Sequence, residues 1–478
     1  MYKIHDKHYK LLFLNGKSFI IYKDYWLNFF NKTEESRDIF MAKITFKGGV
    51  HPYEGKELSK DKPISEYLPK EEVAIPVSQH IGAPAKPIVK KGDEVLIGQL
   101  IAEASGFISA NVHASVSGTV KKIEPRLLAN GSKCDCIIIE NDCIFKESNY
   151  EKPKPLDELS REEIVDLVKK AGVVGMGGAG FPTNVKLSPK EPDKIDYVIV
   201  NGSECEPYLT SDYRRLIEDP EDLILGLKCM LKIFPNAQGI IGIEDNKMDA
   251  IKKISRIVEG EERITVKKLQ TKYPQGAERM LIYALTGRKV NSAMLPADAG
   301  CVVDNVDTVF AIQNAVINGI PLTRRIVTVT GDAIANPQNF WVPIGTNQRD
   351  LVEAAGGFIE EPEKIISGGP MMGMAVSSID IPITKGSSAI LAFIKDPLND
   401  VTQTACINCG RCVEICPGRV VPTKLAKLAA KGDMEGFLKN YGLECCECGC
   451  CSYICPAKRD LTQAIKTMRK RALAQRKK

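Results

Sequence analysis

Ten of the sixteen cysteines in this 478-residue chain fall between Cys406 and Cys455. The first run is Cys406-x2-Cys409-x2-Cys412-x3-Cys416-Pro417, and the stretch LECCECGCCSYICP holds the same spacing as Cys445-x2-Cys448-x2-Cys451-x3-Cys455-Pro456. Three thiolates at this interval can wrap one face of a [4Fe-4S] cube, with a further cysteine before proline supplying a fourth ligand. CxxC repeats also bind zinc, but zinc needs neither the third cysteine nor the Cys-Pro ending, so iron-sulfur chemistry is the preferred reading. Cys446 and Cys450 lie between ligand positions and are read as small thiols packed near the cube.

The doubled spacing is that of two-cluster ferredoxins, where the fourth cysteine of each run crosses to the other cluster. It predicts Cys406, Cys409, Cys412 and Cys455 on one cluster, and Cys445, Cys448, Cys451 and Cys416 on the other. Crossed ligands bring the two cubes close enough for rapid electron transfer, a wire rather than a store. Between the runs, VVPTKLAKLAAKGDMEGFLKNYG is rich in Lys, Leu and Ala, which favours helix.

A second stretch able to do chemistry is GMGGAGFPT, which satisfies G-x-G-x-x-G through Gly175, Gly177 and Gly180. A dinucleotide fingerprint requires a strand before it and a helix after it. Here a helical pattern precedes and Pro182 follows closely, which disfavours a Rossmann fingerprint. The glycines still expose backbone N–H groups to a phosphate or a flavin ring, with a structural glycine turn as the alternative. Glu204 and Glu206, flanking Cys205 after a strand, are either site carboxylates or a solvated loop pair. Lys186 alone reads as a surface lysine. All five histidines lie at or before His113, so the half carrying these motifs has none. That disfavours His-based hydrolysis and suits hydride transfer, where positioning does most of the work.

The elements that must position these groups divide the chain into several domains, as its length requires. Residues 1–40 hold ten of the 31 aromatics without clean periodicity and are expected to be a non-native or disordered extension, with Met41 as the start. FIIYKDYWLNFF, Phe19 to Phe30, is alternatively an interfacial membrane anchor. Residues 41–155 read as short strands between Gly, Pro and Asn turns, resembling the barrel-sandwich of biotinyl and lipoyl carriers. No lysine occurs from Ile101 to Val120, so the hairpin cannot carry such an arm. Ser160 followed by Glu163 marks a helix start, and strand and helix patterns then alternate, giving an α/β flavin/nucleotide-binding domain over 156–322. Residues 323–398 suit a small β-grasp unit whose helix ends at Gly356 and Gly357. The helical two-cluster ferredoxin-like domain spans 399–470, and 471–478 is a basic tail. The fold class is therefore multidomain α/β. A net charge of +5 names no partner, no apolar run of about 18 residues exists, and clustered rather than scattered cysteines argue against a disulfide scaffold and for a reduced, cytosolic setting.

GMGGAGFPTNVKL, NGSECEPYLTSDYR, YPQGAERMLIYALTGR and VVDNVDTVFAI resemble, in order, four segments of the flavin-carrying subunit of respiratory complex I. With PVSQHIGAPAKPIVKKGDEV, GGPMMGMA and the twin cysteine runs, the chain from about Ala42 to Lys470 is more similar still to the family of C subunits of Rnf ion-translocating electron-transport complexes. The resemblance implies FMN cradled by Gly175, Gly177 and Gly178, with Lys186, Asn201 and Glu204, and with Asn305 and Thr308 near its phosphate. It implies Glu206 and Glu278 facing NAD(H), and Phe181 as an aromatic of that pocket. Two positions depart from the complex I pattern: Met176 stands where arginine is usual, and Ser203 where an acid is expected. The implied function is hydride exchange with NAD(H) at FMN and single-electron transfer through two [4Fe-4S] clusters. The implied setting is a peripheral, cytoplasm-facing subunit whose partners are integral membrane subunits and an iron-sulfur subunit, with no nucleic acid. The alternatives are a soluble cobalamin reductase of similar layout and a flavin-free iron-sulfur scaffold. The tail KTMRKRALAQRKK is either solvated or drawn to anionic lipid or an acidic partner face.

Overall fold

The computed structural model describes residues 9–14, 17–22, 43–396 and 398–476. Two units separate, residues 1–44 and 45–478. In the first, Tyr9–Leu14 and Lys17–Tyr22 pair as an antiparallel hairpin. The rest of the expected extension, with most of FIIYKDYWLNFF and Met41, lies outside the described residues.

In the second unit, one small sheet orders Glu72–Pro76, Lys133–Asn141, Gly118–Leu127 and Glu94–Val95, and another orders Lys86–Pro87, Leu100–Glu103 and Val112–His113. Together they make the barrel-sandwich. Alternation along the strands turns the β-branched Val73, Ile75, Ile137 and Ile139 into its core. Within the stretch read as the sandwich domain, residues 50–66 also reach other domains. Val50 bridges to Tyr273, and Ser65–Glu66 adds a parallel edge strand beside Gln338–Pro343.

The α/β domain opens with α1 (Arg161–Lys170), capped reciprocally by Ser160 and Glu163. There follow α2 (Thr183–Lys186), β1 (Tyr197–Gly202), α3 (Ser211–Glu218), α4 (Pro220–Ile233), β2 (Gln238–Glu244), α5 (Met248–Ile257), β3 (Ile264–Leu269), α6 (Glu278–Thr286), β4 (Cys301–Asn305) and α7 (Val306–Gln313). The four strands are parallel in the order β3-β2-β1-β4. With helices over them they carry continuous apolar runs: Val198, Ile199 and Val200 of β1 are fully buried. Strand order reverses at β1, because β2 and β3 leave on one side and β4 returns on the other. In open α/β sheets such a switch point leaves a crevice beyond the carboxyl ends of the strands, where ligands bind.

The next domain is a mixed sheet formed by β5 (Arg324–Thr330), β6 (Gln338–Pro343), β7 (Lys364–Ser367), β8 (Met374–Ala375) and β9 (Ala389–Phe393) with the Ser65–Glu66 edge. Its helix α8 (Gln348–Ala354) starts at an Asn347 cap and stops where Gly356 and Gly357 turn left-handed, at φ 86° and 79°. The cysteine module is helical: α9 (Arg411–Glu414), α10 (Pro422–Ala430), α11 (Met434–Lys439), α12 (Cys450–Tyr453) and α13 (Leu461–Arg476), around Leu425, Phe437, Ile465 and Met468. Among the described residues no helix is long and apolar enough to cross a membrane.

Candidate functional site

The switch point is where the predicted flavin residues gather. Asn201 of β1 and Asn305 of β4 are register partners at its two sides. The Asn201 amide donates to the Gly276 carbonyl at 2.8 Å, and the Asn305 amide donates to Asp212 at 2.7 Å while its oxygen caps α7 by accepting from Asp307 N–H. The glycine loop lies against Asn305: a Cβ on Gly177 would sit 2.7 Å from the Asn305 Cβ, so no other residue lets the loop come this close. The loop is pinned at its start by Gly175 N–H to the Phe181 carbonyl (2.8 Å) and by Met176 N–H to the Thr308 hydroxyl (3.0 Å). Between these anchors the N–H groups of Gly177, Gly178 and Ala179 meet no acceptor among the described residues, and a Cβ on Gly178 would meet open space. Exposed N–H donors of a glycine loop seated beside a helix N-terminus can serve as a cradle for an anion such as a phosphate.

Charge is placed on one side of the cradle. Lys186, on α2, donates to the Val303 carbonyl (2.7 Å) and to Asp304 (3.0 Å), whose second oxygen is buried without a partner. Burial pulls Lys186 down, yet Asp304 and Glu278 outweigh it and raise its pKa, so the ammonium is held charged. Burial pushes Glu278, at the start of α6, above its usual range, against the pull of Lys186.

The loop after β1 is rigidly built. Glu204, at φ 46°, is buried; one oxygen accepts from Asp212 N–H (2.8 Å) and the other pairs with Lys56 (3.5 Å). Both its oxygens are thus engaged within the protein, and Thr308 likewise serves to hold the loop. Lys56 also donates to the carbonyls of Glu204, Glu206 and Leu209. Ser203, at the position where an acid was expected, is buried with an unpartnered hydroxyl. Met176 is 4% exposed and lines a 240 Å³ cavity with Arg215, Asp307, Phe310 and Arg325. One oxygen of Glu206 accepts from Met371 N–H (3.1 Å), and the other is buried without a partner. Burial, opposed by N–H groups of Met371 and Met372, pushes its carboxyl up to about 7. The two carboxylates stand on different elements, Glu206 on a loop held by Met371 N–H and Glu278 at a helix start.

In the cysteine module, Cys406, Cys409, Cys412 and Cys455 all line one cavity of 110 Å³. Cys416 and Cys451 are buried in one cluster with Phe437 and Leu461, against which both Cys445 and Cys412 pack. Cys450 is fully buried against Val50 and Tyr273, its thiol directed at the Tyr273 carbonyl (3.9 Å). Among the described residues no three or more His, Cys, Asp or Glu side chains converge on one metal ion. The first four thiols instead share the lining of one cavity, contributed by both cysteine runs.

Lys56, Asp212, Asp304 and Tyr273 were not singled out in the sequence. Asp304 was discoverable, since it precedes Asn305 at the end of an apolar strand. Lys56 reaches Glu204 across 148 positions, and nothing local marks it.

Residues 44–143 match the RnfC barrel sandwich hybrid domain, residues 168–314 the Nuo51 FMN-binding domain and residues 326–375 the SLBB domain. The C subunit of the proton-translocating ferredoxin:NAD(+) oxidoreductase complex of Clostridium ljungdahlii is 48% identical over 84% of this chain and 87% of its own length. The C subunit of the Na(+)-translocating ferredoxin:NAD(+) oxidoreductase complex of Acetobacterium woodii is 45% identical, covering 91% and 98%. The C subunit of the ion-translocating oxidoreductase complex of Rhodobacter capsulatus is 38% identical, covering 84% and 78%. Among solved structures, an NAD+-reducing [NiFe]-hydrogenase in the air-oxidized state aligns with TM-score 0.47 and 19% identity, covering 69% of this chain and 73% of that one.

Proposed function

The chain belongs to the family of C subunits of ion-translocating ferredoxin:NAD(+) oxidoreductase complexes, and on that premise we propose that it is the component that exchanges hydride with NAD(H) at FMN and relays electrons through two [4Fe-4S] clusters. It is an oxidoreductase subunit of a multi-subunit complex, and it carries an FMN-binding domain. FMN, when bound, accepts an electron pair as hydride and gives up electrons singly, which iron-sulfur clusters require.

The observation that carries this reading is the set of free N–H groups at Gly177, Gly178 and Ala179, beside the Asn201–Asn305 switch point. These donors would hold the FMN phosphate or ring edge without a side chain in the way. Lys186, kept charged by Asp304 and Glu278, would supply the positive charge that Met176 no longer offers. Asn201 and Asn305 would frame the crevice, with Glu204 and Thr308 fixing the two loops that bear on it. Glu206, Glu278 and Phe181 would orient the nicotinamide nucleotide. The cavity among Cys406, Cys409, Cys412 and Cys455 supports the crossed ligand sorting, with Cys445, Cys448, Cys451 and Cys416 on the second cluster.

The proposed place of action is the cytoplasmic face of the membrane, as a peripheral subunit beside integral membrane partners and a further iron-sulfur subunit. The relatives support this over a soluble cobalamin reductase or a flavin-free scaffold. The test is affinity purification of this chain from detergent-solubilised membranes of its own cells. Co-purification of integral membrane subunits with NADH-oxidising activity is expected; a lone soluble enzyme active on a corrinoid would overturn the assignment.

A further inference from the structure

The barrel-sandwich has no lysine on the hairpin between Leu100–Glu103 and Val112–His113, and that hairpin meets another part of the chain instead. With the neighbouring 79–81 turn it lies against residues 170–180, the segment that ends α1 and carries the glycine loop. Asn111 donates its side-chain amide to the Lys170 carbonyl at 3.2 Å. Gly172, at φ 65°, is packed so closely that a Cβ would stand 2.3 Å from the Asn111 carbonyl oxygen. At the other end of the segment Ile81 N–H donates to the Gly180 carbonyl at 3.2 Å, and a Cβ on Gly180 would stand 3.1 Å from the His80 Cα. His80 is itself fixed, its Nε2 accepting from Ala110 N–H at 3.1 Å. The sandwich thus grips both ends of the segment.

Lys385, 1% exposed, fastens the first of these ends from the turn before β9. Its Nζ donates to the carbonyls of Asn111 at 2.6 Å and Gly172 at 2.7 Å, and its N–H donates to the Gln79 side-chain oxygen at 2.9 Å. Its own carbonyl accepts from Arg325, which pairs with Asp307 of α7. One residue therefore joins the sandwich, the base of the glycine loop and the helix that the loop is seated on. Among the described residues no carboxylate pairs with this amine, and burial pulls it down to about 7. The titratable groups around it bring no negative charge: burial lowers His80 and His113, Lys385 lowers both further, and Arg325 bonds its carbonyl. An ammonium buried among carbonyls alone is costly, and an apolar side chain would fill the site at lower cost. The use of the lysine therefore lies in what its bonds hold in place.

Resting on the FMN reading above, we propose that the armless barrel-sandwich is the fixed backing of the flavin loop, with Lys385 and His80 as the positioning residues that hold the two ends of residues 170–180 against it. Neither residue touches the flavin. Lys385 acts through the Gly172 carbonyl, three residues before Gly175, and His80 acts through the turn whose Ile81 N–H bonds Gly180. With both ends held, the free N–H groups of Gly177, Gly178 and Ala179 are already in place when the anion arrives, and binding does not have to order them.

The test compares the full chain with Lys385→Met, which keeps the length of the side chain and removes its donors. FMN affinity is measured by fluorescence titration of the flavin-stripped protein, and hydrogen–deuterium exchange of residues 172–180 by mass spectrometry, with iron content and melting temperature as checks on the fold. The variant is expected to bind FMN about tenfold more weakly and to exchange faster across 172–180, with iron content and melting temperature kept. The gap in affinity should narrow as pH rises from about 6 to about 8.5, because the amine of the unmodified chain loses its charge and its bonds weaken. Glu206 and Glu278 titrate in both forms and leave that difference unchanged. Equal FMN affinity, or equal exchange across 172–180, overturns the proposal. Should Lys385→Met not fold, His80→Ala decides: weaker FMN binding with iron content and melting temperature kept supports the backing role, and unchanged affinity overturns it. An unmodified chain that binds no FMN would count against the cofactor reading instead, and the exchange of 172–180 would then decide the role of Lys385 alone.

Discussion

Asn201 and Asn305 stand opposite one another on adjacent parallel strands, one held by the Gly276 carbonyl and the other by Asp212. Everything assigned to the flavin depends on this pair, because the glycine loop is seated directly on Asn305.

Gly177→Ala and Gly178→Ala therefore make different tests of the cradle. The first drives a methyl into Asn305 and should displace the loop; the second has open space and should leave the fold intact. Both are expected to weaken FMN binding by about tenfold or more, ~1.4 kcal/mol. Fluorescence titration of the flavin-stripped protein measures this. Normal affinity in Gly178→Ala, with an unchanged melting temperature, would show that the flavin does not approach the loop.

Glu206 gives a pH dependence with a definite sign. Its carboxyl rises from an ordinary 4.5 to about 7 because it is buried. The folded state thus holds a proton that the unfolded chain has lost, so stability is full below the unfolded value and falls as pH rises through the folded one. Thermal melts at about pH 5.5 and about pH 8 should show a smaller loss in Glu206→Gln than in the unmodified chain. An identical loss in both would mean that Glu206 is ionised throughout.

Cys446→Ser and Cys450→Ser are expected to keep full iron content, while Cys448→Ser loses a cluster. Cys450 is buried on the Tyr273 side of its helix and serves packing. Iron analysis of the purified variants decides, and cluster loss in Cys446→Ser would show that the assigned ligand register is wrong.

Part of this was legible from residue order alone. The Ser160–Glu163 cap, the Gly356–Gly357 stop and the apolar strand ending in Asn201-Gly202 are local signals, and each element formed where its signal stood. The path of residues 50–66 was not legible. Short polar segments carry no periodicity, and their place is set by partners such as Glu204 and Tyr273 more than 140 positions away. The packing of the second cysteine run against Val50 and Tyr273 was hidden for the same reason: equal spacing says nothing about what each run packs against.

The C-terminal helix offers a further check. Ala472 is buried and Met468 belongs to the module core, so the tail is best tested by charge rather than by truncation. Lys466, Lys470 and Arg471 are exposed on a helix whose first residue, Leu461, lines the cavity of Cys406, Cys409, Cys412 and Cys455. Replacing all three with Gln should weaken association with anionic vesicles or with the membrane partners at low salt, and the difference should fade as the Debye length shortens to ~8 Å at physiological salt. Equal binding of both forms at low salt would make the tail a solvated one.

The central claim is that one chain joins nucleotide, flavin and clusters. Its most direct test is the visible absorbance spectrum of the purified chain, taken without oxygen before and after NADH. The account predicts a flavin band and a broad iron-sulfur absorbance, both of which bleach on adding NADH. Cluster absorbance with no flavin band and no response to NADH would contradict it.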